Sequence, residues 1–571
     1  MRRGMIQGLK SLLRLRARSL DAQCGGKATA RQQSLDAAVS REGDRTRRRA
    51  ALPLLMVASV TLAACESGDA LNLQPVPGFD GLVATGEPNA AIIAREVLAR
   101  GGTVADAAVA VTFSLVATYP SRISLAGGGV CLIHDREKQI TEALSFLPLA
   151  NATGGVPPGL TRGLEALHAR YGGLNWQEMV SPGEAFARFG VETSRALAAD
   201  VAAAQSLLAQ DPAAAQLLLP GGRPLAMGAP LRQPALAATL AGIRKQGSAY
   251  FLSGPAGPAF AAASTAAGAA MREVDLRDRV PLYQRPIRLV RGSEFIFFSP
   301  PPAANGLVAA TLYQILADVA DYEDEDEIGR RQHVFIEASA QSYADRGGWL
   351  TAEGGSTQAV DTLLDSDTLD ARLSGLGQQP HRPSSSLVPS PRQVVEPVAG
   401  TGFVVGDRYG NAVACSLTNN GLFGSGKLDA TSGIFFAAEA PGNLVISPVA
   451  AIATSIGTQR ARFAGAAAGG SAGATALSRL MADIFLREMP LRTAMNQVRV
   501  HHNGLPDVAF VEERADGSVQ QVLVELGHRL QLVPGLGEVQ AWLCPEGILQ
   551  APGLCQVEAD PRGFGLSQVS P

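Results

Sequence analysis

Long apolar runs are scarce in this chain of 571 residues. The run Ala50 to Ala64 falls short of the roughly 20 residues a helix needs to cross a bilayer. Charge is low as well: 18% of residues are charged, the formal net charge is −3, and no basic stripe runs through the body. That excludes nucleic acid as a natural partner. The six Cys and seven His fall in no C-x-x-C or H-E-x-x-H spacing, so neither a structural zinc site nor another metal or cofactor is expected. What is abundant is apolar residues, at 46%, with 62 Gly and 35 Pro. This is a globular balance with an ample core and many close backbone approaches.

The N-terminal region reads as an export signal. A basic cluster (Arg45, Arg47, Arg48, Arg49) precedes the apolar run, the order of a secretory signal. The closing Leu62-Ala63-Ala64-Cys65 resembles a bacterial lipobox. That resemblance implies lipidation of Cys65, which then starts the mature chain, with residues 65–80 as a tether. Glu66, rather than Asp, points to the outer membrane and to a periplasmic, lipid-anchored protein. The other reading is a plain signal peptide with an incidental Cys. Residues 1–44 are Arg-rich without a core pattern and read as an upstream extension. Export means an oxidising compartment. Cys544 and Cys555, close together in a Pro/Gly-rich stretch, are candidates for a disulfide there. Cys131 and Cys415 lie in apolar, strand-like runs and read as small buried hydrophobes.

In the body, Asn89–Leu98 predicts a helix, and Thr103 with Asp106 a capping box for a second helix, apolar all round and therefore buried. Gly127–Gly129 leads into a buried strand. Ile287–Phe298 predicts a strand, about 305–319 a helix, and His333–Ala344 part of another. Residues 351–398 lose periodicity and fill with Gly, Ser and Pro, as a long loop does. Strands follow at Thr401–Val405, Asn411–Leu417, Gly433–Ala438 and Arg462–Ala467, with a helix near 474–487. Strands in the second half and helices in both predict a layered α/β sandwich.

Several motifs recur in a fixed order between residues 81 and 563: Arg100-Gly101-Gly102, Val104–Ala110, Gly127–Gly129, Val156-Pro157-Pro158-Gly159, Tyr343-Ala344-Asp345-Arg346, Asp407 with Gly410-Asn411, Thr418 and Asn420 with Phe423–Gly426, Gly469-Gly470-Ser471, His501-His502 and Asp560-Pro561-Arg562. Together they resemble the gamma-glutamyltransferases. The resemblance implies an N-terminal-nucleophile hydrolase fold, a four-layer αββα sandwich. It also implies a chain that cuts itself into a large piece (81–400) and a small piece (401–571) that stay associated and act on a small amide or peptide. In that chemistry a Thr hydroxyl attacks the amide while its freed α-amine, with a pKa of about 8, serves as base.

Carried over residue by residue, the resemblance makes Thr401 the candidate nucleophile, Thr418 and Asn420 its supports, Gly469 and Gly470 the oxyanion cradle, and Glu439 a contact for the substrate amine. Aligned without gaps through Asp407 and Asn411, however, the family's nucleophile falls on Gly400. A one-residue shift turns a strand side chain to the other face. Thr401 is therefore either a nucleophile with slipped processing or a remnant. In the second case the protein is a catalytically silent relative, tethered to the membrane for binding or scaffolding. The family's carboxylate-gripping Arg is replaced by Leu147, its paired serines by Ala450-Ala451, and an acidic partner by Gly442, so glutathione is expected to be a poor substrate. Gly421–Lys427 matches a P-loop spacing, but Leu428 stands where a Mg²⁺-binding hydroxyl is needed. His501-His502 have no acidic or thiol neighbours in sequence, which favours core roles.

Overall fold

A computed structural model describes residues 78–318, 322, 327–351, 354–365, 369, 376, 380–392, 399–439 and 448–570. The signal segment with Cys65, and Gly442, lie outside them. Among the described residues no helix is long and apolar enough to cross a membrane.

Two helices open the body. α1 (Pro88–Ala99) starts with Pro at its first turn and Glu87 as cap, its carboxylate accepting from Ala90 N. α2 (Val104–Thr118) carries the expected capping box between Thr103 and Asp106, and all of its residues are buried. Further helices used below are α3 (Arg195–Ala203), α4 (Ala304–Asp318), α5 (Ile328–Trp349) and α6 (Ser471–Phe485).

Thirteen strands form the two main sheets. They are β1 (Gly81–Thr85), β2 (Gly128–Asp135), β3 (Ile140–Phe146), β4 (Leu282–Gln284), β5 (Ile287–Arg291), β6 (Glu294–Phe298), β7 (Thr401–Asp407), β8 (Ala412–Thr418), β9 (Val449–Ser455), β10 (Ala461–Ala468), β11 (Glu538–Leu543), β12 (Gln556–Glu558) and β13 (Leu566–Ser570). The first sheet has the order β13-β1-β7-β8-β2-β3-β4, the second β12-β11-β10-β9-β6-β5. Neighbouring strands are antiparallel throughout both.

Residues alternate between the two faces of the strands, as the two-residue period requires, with a register shift at Ala453–Thr454 of β9. Leu82, Ala84, Val404, Ala412 and Ala414 of the first sheet meet Ala450, Ile452, Ala464, Ala466 and Trp542 of the second. Their neighbours Val83, Phe403, Val405, Val413 and Leu417 pack outward with α1 and α2. Val449, Ala451, Phe463 and Val539 pack outward with α4 and α6. The result is a four-layer αββα sandwich. β7 pairs with β1 on one side and β8 on the other, so residues 81–400 and 401–571 interleave within one sheet.

Two expectations change. Ile287–Phe298 is a hairpin and not one strand, because Gly292 turns the chain at φ 54° between β5 and β6. Cys131 and Cys415 are not free. They face each other on β2 and β8 and are bonded. Two apolar runs say nothing about which strands will be neighbours, and adjacency is what makes the bond. Cys544 and Cys555 are bonded as well.

Loop closure predicts how much each bond contributes. The Cys131–Cys415 bond spans 284 residues and the Cys544–Cys555 bond 11. Stabilisation grows with loop length within a usual range of about 2–5 kcal/mol. Replacing Cys131 and Cys415 by Ser should therefore lower the unfolding stability of the uncut chain, kept intact by Thr401→Ala, more than replacing Cys544 and Cys555. Denaturant midpoints of the two double variants check the ranking.

Candidate active site

The site lies where β7 begins. Gly402 and Gly406 direct their Cα hydrogens toward the second sheet, where a Cβ would meet Ala466 and Trp542 respectively. Gly400 continues that series. A Cβ built on it would lie 3.5 Å from Ala468 Cβ and 3.7 Å from Thr418 Cβ. Ala468 ends β10 and runs straight into Gly469 and Gly470, so the position facing the glycine turn carries no side chain.

Thr401 has the parity of Phe403 and Val405. It is 1% exposed, and among the described residues its Oγ1 has no hydrogen-bond partner. That hydroxyl lies beside Gly86, just past β1: a Cβ at Gly86 would be 2.7 Å from Thr401 Oγ1 and 2.9 Å from Glu538 Oε1. An unpartnered buried hydroxyl costs on the order of 1–3 kcal/mol, a cost commonly retained where the group has work to do. Glu538, at the start of β11, accepts from Gln540 Nε2 at 2.9 Å. Burial pushes its carboxyl up to about 7. Arg122 and Arg499 oppose the shift, while Asp560 and Asp200 add to it.

Arg122 enters from the turn after α2, where Tyr119-Pro120 ends the helix. Its Nε and Nη2 donate to the two oxygens of Asp200 on α3, at 2.6 and 2.7 Å, and Ser121 Oγ donates to the same carboxylate at 2.7 Å. So held, Nη1 donates to the carbonyl oxygen of Gly400 at 3.4 Å. The cation therefore rests on the peptide bond between Gly400 and Thr401.

Thr418 and Asn420 hold the approach to this step. Thr418 Oγ1 donates to Ala399 O at 2.8 Å and accepts from Asn420 N at 2.9 Å. Asn420 sits at φ 59°, a region where Asn is enriched. Its Nδ2 donates to Pro148 O and Ala438 O at 2.8 and 3.0 Å. It thereby ties together the segments that carry Leu147 and Glu439. Gly469 and Gly470, at φ 116° and 64°, make the turn from β10 into α6 and set backbone N–H groups at a helix N-terminus, an arrangement that suits a developing negative charge. Gly470 O is held by Asn305 Nδ2 at 3.1 Å.

The wall where a carboxylate grip was sought is apolar. Leu147 packs with Val130 and Ala303. Ala450 and Ala451 are fully buried and point to opposite faces of β9. Glu439 is exposed, with its carboxylate beside Gly154. Sequence reasoning missed Arg122, Asp200 and Glu538. The available signals were a lone cation between an apolar helix and a glycine run, and polar residues at alternate positions of an otherwise buried strand.

His501 lies against the first turn of α6, between Ser471 Oγ and Thr475 Oγ1 at 3.0 Å each. His502 does have acidic company, contrary to the sequence reading: Asp507 Oδ1 lies 3.3 Å from its Nε2. His502 Nδ1 accepts from Gly504 N, so Nε2 carries the proton in the neutral ring and offers no lone pair to a metal. His381 bridges Glu337 and Asp507, at 2.6 and 3.2 Å. His333 and His528 meet beside it at 2.7 Å.

A profile of the family described as gamma-glutamyltranspeptidase matches residues 90–153 and 147–568. The glutathione hydrolase proenzyme of Pseudomonas aeruginosa is 26% identical over 549 residues, covering 86% of this chain and 94% of that one. The acylase ACY 1 proenzyme of Pseudomonas sp. (strain V22) is 28% identical over 508 residues, covering 81% and 89%. Among solved structures, cephalosporin acylase from Bacillus halodurans shares the fold with a TM-score of 0.75 at 21% identity, over 87% of this chain and 96% of that one.

The histidine cluster predicts a pH dependence. Burial disfavours the charged form of His381, but the hydrogen bond and charge of Glu337, with Asp507, outweigh it and raise its pKa above 6.5. Stability from this pairing is full below the unfolded value and is lost as pH rises through the raised folded value. The stability gap between wild type and Glu337→Gln should be widest below about pH 6.5 and narrow toward pH 9. Urea melts across that range measure it, and a gap that widened with pH would contradict the assignment.

Proposed function

The chain belongs to the gamma-glutamyltranspeptidase family, and on that premise we propose that it hydrolyses or transfers an acyl amide, using the Thr401 hydroxyl as nucleophile after cleavage of the Gly400–Thr401 bond. The observation that carries this reading is the state of Thr401. Its hydroxyl is buried beside Glu538 and unpartnered among the described residues, and the carbonyl before it is in contact with Arg122. Cleavage would give Thr401 an α-amine able to act as base near neutral pH. Gly469 and Gly470 at the start of α6 would serve the oxyanion, which requires Thr401, whose side chain lies beside Gly86 and not at that turn in the uncut chain, to swing toward it once the bond is broken. Both relatives described above are named as proenzymes, which supports a processed chain.

The substrate on this reading is an amide whose acyl part carries no carboxylate at the Leu147 wall. Each charge-assisted hydrogen bond lost there weakens binding by about 1.5–3 kcal/mol, or roughly 10- to 150-fold in affinity. The similarity to an acylase agrees with such a preference. Export and lipid attachment through Cys65 on the periplasmic side complete the proposal. Two disulfides support an oxidising compartment. A second reading, a silent family member tethered as a binding or scaffolding protein, draws on Gly400, since the position facing the glycine turn has no hydroxyl.

Reducing denaturing electrophoresis with mass spectrometry of the mature protein separates the two. Two chains, the second beginning at Thr401, with one intact chain in Thr401→Ala, are expected for the enzyme; an intact wild-type chain favours the silent relative. Against substrates, glutathione should be turned over no better than an unrelated acyl amide. A strong preference for glutathione would remove the substrate assignment.

A further inference from the structure

We infer that Arg122 and Glu538 drive the cleavage of the Gly400–Thr401 bond, Arg122 as the cation on the reacting carbonyl and Glu538 as the base for the Thr401 hydroxyl; this rests on the reading of Thr401 as a processed nucleophile. Three placements converge on the one peptide bond. Arg122 Nη1 lies 3.4 Å from Gly400 O, while its other nitrogens are clamped by Asp200, so the donor is fixed in advance of any charge on that oxygen. Thr401 Oγ1 and Glu538 Oε1 border the same space, and that space exists because residue 86 is glycine. Gly563 clears a second side of the carboxylate: a Cβ there would fall 2.7 Å from Glu538 Oε1. Arg122 donates to Asp200 and to Gly400 O, and Glu538 accepts from Gln540, so the cation is aimed at the chain's own peptide bond.

The step balances as follows. Glu538 takes the hydroxyl proton across the space beside Gly86, and Thr401 Oγ1 forms a bond to the carbonyl carbon of Gly400. The carbonyl oxygen becomes an oxyanion facing Arg122. The C–N bond to Thr401 breaks, and the proton held by Glu538 passes to the departing nitrogen, leaving an ester and a free α-amine. Water then hydrolyses the ester to a Gly400 carboxylate and restores the Thr401 hydroxyl. Since burial raises the Glu538 carboxyl to about 7, a neutral-pH proton transfer in both directions is within its range. The charged groups facing it are Arg122, Asp200, Asp560 and Arg499.

Cell-free synthesis followed by reducing electrophoresis gives the cleavage rate of the full chain. Arg122→Gln should slow cleavage about 100-fold or more, as loss of one oxyanion donor does, with partial recovery in Arg122→Lys. Glu538→Gln should slow it by about 10²-fold or more. The wild-type rate should rise with pH through about 7 and level off, and the Glu538→Gln rate should be flat over that range. Gly86→Ala, whose methyl would fall 2.7 Å from the hydroxyl and 2.9 Å from the carboxylate and so push both aside while leaving their chemistry intact, should slow cleavage as Glu538→Gln does. Folding is checked by cooperative melting of the uncleaved chains against Thr401→Ala. If Arg122→Gln does not fold, Glu538→Gln and Gly86→Ala decide. Wild-type rates in the folded variants, with Thr401→Ala still uncleaved, overturn this inference and leave the proposed function standing. An uncleaved wild type overturns both.

Discussion

Everything at the site depends on how β7 enters the first sheet. A strand hands its side chains alternately to its two faces, and β7 is held in register by β1 and β8 on either side. Its even positions are committed to the second sheet and its odd positions to the helices. The chain cannot slip by one residue without driving Phe403 and Val405 between the sheets. Gly400 therefore faces the glycine turn, and Thr401 is left to find chemistry on another line, beside Gly86 and Glu538.

That constraint explains why two charged residues far apart in sequence matter to one peptide bond. Arg122 is delivered by the break after a helix that is buried on all sides, and Glu538 by the first residue of a strand whose alternate residues are apolar. Asp200 closes the arrangement by occupying two arms of the guanidinium, which leaves the third for Gly400 O. A bidentate clamp of this kind fixes direction as well as charge.

Much of the architecture was legible beforehand. Periodicity located α1, α2, β7, β8 and β10, and the ordered motifs pointed to the four layers. Thr418, Asn420, Gly469 and Gly470 were all named from motifs; Thr418 bonds the backbone just before β7 and holds Asn420, and the two glycines follow Ala468, which faces Gly400. Several failures needed to know which strands are neighbours, whereas the β5–β6 hairpin turned on Gly292 alone. The Cys131–Cys415 bond joins β2 to β8, and Arg122 and Glu538 come together from different layers. β13, polar and half-exposed, has too weak an alternation to announce itself, yet it borders β1. His502 was read as lacking acidic company although Asp507 follows it in the next loop, and its further companion His381 arrives from the segment before β7.

The Cys131–Cys415 bond has a meaning beyond the energy of folding. Cys131 precedes the Gly400–Thr401 step and Cys415 follows it. Should that step be severed, the two fragments would remain a single covalent molecule, stapled through adjacent strands of the same sheet. Dilution could not part them, and any transient opening would close again as an intramolecular event at high effective concentration. Only a reductant would turn the assembly into two separable species, so the redox state of its surroundings would govern whether the cut protein can come apart.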